Sequence, residues 1–109
     1  MSLDRESTRR SAKAGELTLN YYEAGESTPE LGGGLPLIML HGGGPGASAW
    51  SNFGSALPGF AASFRTLLVD QPGFGQSDKP EVTANYFRFA SEAVVKLMRL
   101  RRRLGLRLV

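Results

Sequence analysis

The feature that most restricts this chain is a short apolar run, Leu35-Pro36-Leu37-Ile38-Met39-Leu40, that stops abruptly at His41-Gly42-Gly43-Gly44-Pro45-Gly46. A continuous run this short between turn signals suits a strand buried on both faces of a parallel sheet. A second such strand is expected over Phe64 to Asp70, centred on Leu67-Leu68-Val69, and it leads into the turn-forming segment Gln71-Pro72-Gly73-Phe74-Gly75. Between them, Trp50, Phe53, Leu57 and Phe60 recur at helical spacing over 48–62, with Ser48 placed to cap the start and Pro58 placed to break or kink the element.

Upstream, Leu17, Leu19 and Tyr21 alternate with Thr18, Asn20 and Tyr22, the pattern of a half-buried strand. A short strand is also expected within residues 1–15, and Ala24 to Gly34 reads as a loop. Downstream, Ala84 to Leu100 is the most regular helix, with Phe87, Ala90, Val94, Leu97 and Met98 on one face. Buried strands alternating with amphipathic helices imply an α/β fold: a mostly parallel sheet with helices on both faces.

Composition narrows the function. The chain has no cysteine and a single histidine, His41, which leaves no cysteine or multi-histidine metal site. The net charge of +3 is concentrated at one end: Arg99, Arg101, Arg102, Arg103 and Arg107 lie in the last eleven residues, and the rest of the chain is net −2. A nucleic-acid partner is therefore not expected of the domain. No stretch approaches the roughly 18 apolar residues of a membrane span, and the polar start Met1 to Arg10 lacks the apolar core of a signal peptide. A cytoplasmic protein without membrane partners is expected.

The glycine loop carries the chemistry. It lies where a buried strand delivers the chain to one end of the sheet and just before a helix. Glycine permits backbone angles that present N–H groups with no side chain in the way. The crevice at the carboxyl ends of parallel strands is the ligand site of open α/β sheets. Three readings compete. A phosphate loop would want G-x-x-x-x-G-K-[ST] or G-x-G-x-x-G, and neither occurs. A plain structural turn and an oxyanion hole, a set of N–H donors for developing negative charge, both remain.

Leu40-His41-Gly42-Gly43-Gly44-Pro45-Gly46-Ala47-Ser48-Ala49-Trp50-Ser51-Asn52-Phe53 resembles the corresponding loop of the meta-cleavage-product hydrolases, α/β-hydrolases that cut a carbon–carbon bond in ring-opened aromatic or steroid catabolites. Val69-Asp70-Gln71-Pro72-Gly73-Phe74-Gly75-Gln76-Ser77-Asp78-Lys79 resembles the segment after the fourth strand of the same fold, a motif shared more widely among α/β-hydrolases. The resemblance covers roughly residues 17–98. It implies that Gly43 supplies an oxyanion N–H, that Gly42 and Gly44 shape the loop, and that Asn52 binds the polar head of a small-molecule substrate. It also implies a cofactor-free serine-histidine-aspartate mechanism. Trp50 is then expected in helix packing, His41 in a structural bond to nearby backbone, and Asp70, Ser77 and Asp78 in holding the loop after the strand.

The nucleophile, acid and base of that family are absent from this sequence. No G-x-S-x-G occurs: Gly46-Ala47-Ser48-Ala49-Trp50 and Gly75-Gln76-Ser77-Asp78-Lys79 both lack the closing glycine. The sequence is therefore expected to be the N-terminal part of an α/β-hydrolase domain, 1–98, truncated before the nucleophile elbow and inactive alone. Residues 99–109 depart from the family, and the arginine cluster is expected to be a non-native tail from a frameshift or premature stop. The alternative is a genuine basic helix end facing an anionic partner. Without its neighbour, the strand ending at His41 is expected to be an exposed apolar edge prone to self-association. Two functional alternatives stand beside the carbon–carbon hydrolase: another α/β-hydrolase (esterase, epoxide hydrolase or haloalkane dehalogenase), or a non-catalytic anion-binding or interaction module.

Overall fold

The computed structural model of the chain describes residues 3–25, 36–82 and 85–103. A single helical turn, α1 (Arg5–Thr8), capped by Asp4, leads directly into strand β1 (Arg9–Ala14). Strand β2 (Leu17–Ala24) follows after Gly15 and Glu16, and then β3 (Pro36–Leu40). The segment expected to be helical over 48–62 forms three pieces: α2 (Ala49–Phe53), a 3₁₀ turn (Gly54–Ala56) and α3 (Leu57–Ala61). Pro58 lies in the first turn of α3, where its missing N–H costs nothing, so it begins a helix as the chain breaks from the one before. Strand β4 (Arg65–Val69) and the long helix α4 (Tyr86–Arg103) complete the order. The residues between β2 and β3, including most of the expected loop at Ala24 to Gly34, lie outside the described residues.

The sheet runs β1-β2-β4-β3. It is mixed. β1 and β2 are antiparallel, β2 and β4 are antiparallel, and β3 and β4 are parallel, with Leu37 opposite Thr66 and Met39 opposite Leu68. The parallel character expected of the sheet thus resides in the pair that carries the glycine loop. β1 and β2 are joined by a tight turn, which permits only antiparallel pairing.

Side-chain alternation along the strands divides the core into two layers. Leu19, Tyr21, Leu67 and Val69 face Ala93, Val94 and Leu97 of α4. Tyr22, Ala24 and Leu68 face Ala49 and Leu57 on the other side. Each fully buried leucine among these contributes about 1.5–3 kcal/mol. The expectation of a half-buried β2 is corrected: Leu19 through Ala24 are all buried, because α4 covers one face and α2–α3 the other. Two helix-face expectations also change. Phe87 is 84% exposed, because the face of α4 that packs on the sheet runs through Ala90, Ala93, Val94 and Leu97. Phe60, near the end of α3, is exposed as well.

α4 passes residue 98 without a break and continues to Arg103. Near its end, Arg101 Nη2 donates to Glu23 Oε2 at 2.6 Å, and Arg65 Nε donates to the same oxygen at 2.7 Å. Glu23 is buried, so this carboxylate ties β2, β4 and the end of α4 together. The rest of the arginine-rich segment, 104–109, lies outside the described residues.

Candidate functional site

The parallel pair β3–β4 ends with both strands on the same side of the sheet. β3 gives way to His41-Gly42-Gly43-Gly44-Pro45-Gly46 and β4 to Asp70-Gln71-Pro72-Gly73-Phe74-Gly75, so the two motifs read from the sequence form one rim. The parallel register sets Leu40 beside Val69, which brings His41 and Gln71 into contact.

Asp70 is the centre of the buried part. It is 1% exposed. Its Oδ1 accepts from the Ala49 backbone N–H at 2.8 Å, and its Oδ2 accepts from Asn20 Nδ2 at 2.9 Å and the Gln76 N–H at 3.0 Å. Ala49 is the first residue of α2, so the carboxylate also faces the positive end of that helix. Ser77 Oγ donates to the Asp70 carbonyl at 2.6 Å and accepts from the Asn20 N–H at 2.8 Å. Asp78 Oδ2 accepts from the Thr18 N–H, and the Asp78 N–H donates to the Thr18 carbonyl. Asp70, Ser77 and Asp78 hold the loop after β4, in the structural role read for them. Gly75 makes the closure possible. It has a φ of +54°, and a Cβ there would come within 2.3 Å of the Asp70 carboxyl.

The start of α2 is fixed by a reciprocal cap: the Ser48 hydroxyl accepts from the Ser51 N–H, and the Ser51 hydroxyl accepts from the Ser48 N–H. Trp50 packs against Tyr22, with ring centroids 5.1 Å apart, as expected of a packing residue. Asn52 is exposed on α2, its side-chain oxygen accepting from Ser51 Oγ at 3.3 Å.

His41 joins the two loops. It is 3% exposed. Its Nε2 lies 3.0 Å from the Gln71 backbone N, and its Nδ1 lies 2.7 Å from the Gly42 carbonyl oxygen. Gln71 Nε2 donates to the His41 carbonyl at 2.6 Å. The Phe74 ring meets the imidazole edge-on at 5.0 Å, and Tyr86 packs beyond it and donates to the Pro72 carbonyl at 2.6 Å. Burial pushes the Tyr86 hydroxyl above its ordinary pKa.

The glycine segment itself is bare. Residues 42–46 are exposed. Among the described residues, the amides of Gly42, Gly43 and Gly44 donate to no partner, and the local turn is closed by Ala47 N–H to the Gly44 carbonyl at 3.0 Å. A Cβ at Gly42, Gly43 or Gly44 would meet nothing within 4 Å. Left-handed φ was not needed to produce this: of the loop glycines only Gly46 is positive, at +78°. Gly42, Gly43 and Gly44 have no positive φ, and no side chain stands in front of their amides.

Sequence reasoning missed Asn20, which supplies an N–H, a carbonyl and a side-chain amide to the rim, and Tyr86. An asparagine set between Leu19 and Tyr21 in a strand was the available signal for the first. No group of three or more His, Cys, Asp or Glu suited to a metal exists among the described residues. No described helix is long and apolar enough to cross a membrane.

The sequence profile of the alpha/beta hydrolase fold matches residues 36–109. The chain is 47% identical over 51 residues to a 2-hydroxymuconate semialdehyde hydrolase of Pseudomonas sp. (strain CF600), an alignment covering 47% of this chain and 18% of that protein. It is 45% identical over 64 residues to a 2-hydroxy-6-oxo-6-phenylhexa-2,4-dienoate hydrolase of Comamonas testosteroni, covering 58% of this chain and 20% of that protein. The chain thus spans about a fifth of the length of the curated relatives it matches. Among solved structures, it superposes on a meta-cleavage product hydrolase of Pseudomonas fluorescens IP01 with a TM-score of 0.75 and 26% identity, covering 95% of this chain and 36% of that one. Fold, rim motifs and relatives agree, and the chain belongs to the alpha/beta hydrolase fold family.

Proposed function

We propose that this chain supplies the oxyanion-stabilising rim of a serine hydrolase that cleaves a carbon–carbon bond in ring-opened 2-hydroxy-6-oxo-dienoates. The observation that carries the reading is the run of glycine amides, unengaged among the described residues, at the carboxyl end of the parallel pair β3–β4. In that role the Gly43 N–H donates to the oxygen that gains negative charge at the scissile carbonyl, Gly42 and Gly44 keep the approach clear, and Asn52 binds the polar head of the substrate. Relatives bearing names of this substrate class align with 47% and 58% of the chain. A ring-opened steroid presents the same dienoate head and belongs to the same proposal, as does a cytoplasmic setting.

His41 is not the base in this reading, since both ring nitrogens already face backbone partners. With no G-x-S-x-G in the sequence, turnover by these 109 residues alone is not expected. The test is a chimera in which residues 17–98 replace the matching segment of the Comamonas testosteroni hydrolase. It should hydrolyse 2-hydroxy-6-oxo-6-phenylhexa-2,4-dienoate. Gly43→Pro, which removes the N–H, should lower kcat by about 10²–10³-fold, the loss typical of one oxyanion donor. A folded chimera without activity, or full activity in Gly43→Pro, rejects the reading.

The proposal extends to self-association of the chain through β3. That strand pairs only with β4 among the described residues, and Leu40 is 46% exposed. Leu40→Lys should shift the sedimentation of the purified chain toward monomer. Sedimentation unchanged from an associating wild type would exclude this edge.

A further inference from the structure

We propose that His41 and Gln71 are positioning residues that aim the Gly43 amide, with His41 acting as its Nδ1–H tautomer. The inference rests on the reading of Gly43 as the donor and supplies what holds it in place.

The tautomer follows from who can donate. The Gln71 backbone N–H points at His41 Nε2 from 3.0 Å, and a peptide nitrogen has only a proton to offer. Nε2 must therefore accept, so in the neutral ring the proton sits on Nδ1. Nδ1 lies 2.7 Å from the Gly42 carbonyl oxygen, and its N–H donates there.

The aim follows from peptide geometry. The Gly42 carbonyl and the Gly43 N–H belong to one planar trans unit and point in opposite directions. Fixing that carbonyl against the buried imidazole turns the Gly43 N–H away from the protein, where nothing stands within 4 Å of a Cβ at Gly43. The same device acts one residue earlier. Gln71 Nε2 holds the His41 carbonyl at 2.6 Å, and that peptide unit carries the Gly42 N–H. Glycines have no side chains by which a loop can be held, so these two carbonyls are the handles. Burial of the ring and its edge contact with Phe74 keep the imidazole from turning. An amide aimed in advance requires no rearrangement when charge develops in front of it.

The first test is a long-range ¹H–¹⁵N correlation on the labelled 109-residue chain at neutral pH. Protonated Nδ1 with bare Nε2 is expected. An Nε2–H tautomer overturns the proposal and needs no variant that might fail to fold. The second test compares His41→Asn with His41→Gln. The asparagine amide nitrogen takes the place of Nδ1 and can still donate to Gly42, whereas the glutamine oxygen can meet the Gln71 N–H but leaves the Gly42 carbonyl free. The Gly43 N–H order parameter should be about 0.85 in the wild type and in H41N, and fall below about 0.6 in H41Q. Equal loss in both variants, no loss in either, or the reverse pattern overturns it. These readouts involve no substrate. A rigid amide beside an inactive chimera rejects the oxyanion reading alone, and a mobile amide beside an active one rejects the clamp alone.

Discussion

The two halves of the rim are built on opposite principles. Around Asp70, each carboxylate oxygen has a donor, the neighbouring serine bonds at both ends, and Gly75 leaves no room for a single added carbon. Around Gly43, a few residues along the same rim, the amides have no partner among the described residues and a Cβ would meet open space. The first half is over-determined, and the second is unsatisfied among the described residues. An N–H that must wait for a ligand cannot be stabilised by its own bonds, so its fixity has to come from neighbours that are fully bonded.

This contrast predicts how the halves respond to substitution. Asp70→Ala should have the largest effect. It strands three donors, each worth about 1–3 kcal/mol when left unmet in a buried setting, for a combined loss of about 4 kcal/mol by urea denaturation. A cost below about 1 kcal/mol would erase the distinction. Gly75→Ala should follow at about 3 kcal/mol, because it combines a left-handed φ with a carbon placed against the carboxylate. Glu23→Gln sharpens the comparison by probing a buried, doubly paired acid at another place in the sheet. Removing one partner of a buried ion pair costs about 3–5 kcal/mol, and the partial exposure of Arg65 reduces the expectation to about 2 kcal/mol. Gly43→Ala should come last and reverse the sign. With an ordinary φ and no clash, it should stabilise the chain by about 0.5 kcal/mol through the unfolded state. A destabilisation matching that of Gly75→Ala would mean the loop glycines serve the fold rather than the ligand.

The same division explains what could be read in advance. β3, β4, the Ser48 cap and the glycine loop were legible because each is a local pattern: an apolar run, a capping residue, a break. The roles of Ser77 and Asp78 came from motif resemblance. What stayed hidden depends on partners distant in sequence. Nothing near Asn20 indicates that its side chain will meet a carboxylate 50 residues later. Phe87 fits an apolar stripe on α4 by spacing, but the sheet it meets covers the face through Ala93, Val94 and Leu97 instead. The period of β2 gave one buried face, since periodicity cannot tell that a second layer of helices will cover the other. The bareness of the loop was legible, and its means were not, because His41 looks the same in sequence whichever nitrogen carries the proton.

The link between Glu23 and Arg101 spans 78 positions, and that distance has a kinetic meaning. Closing so large a span is entropically slow, and it cannot occur until the last turn of α4 has left the ribosome. Until then the Glu23 carboxylate can pair with Arg65 alone, so newly made chains should pass through a looser state that locks only once that turn has formed. Pulse-labelling by hydrogen exchange during refolding should therefore find β2 protected in two steps, the later one coinciding with formation of the final turn of α4.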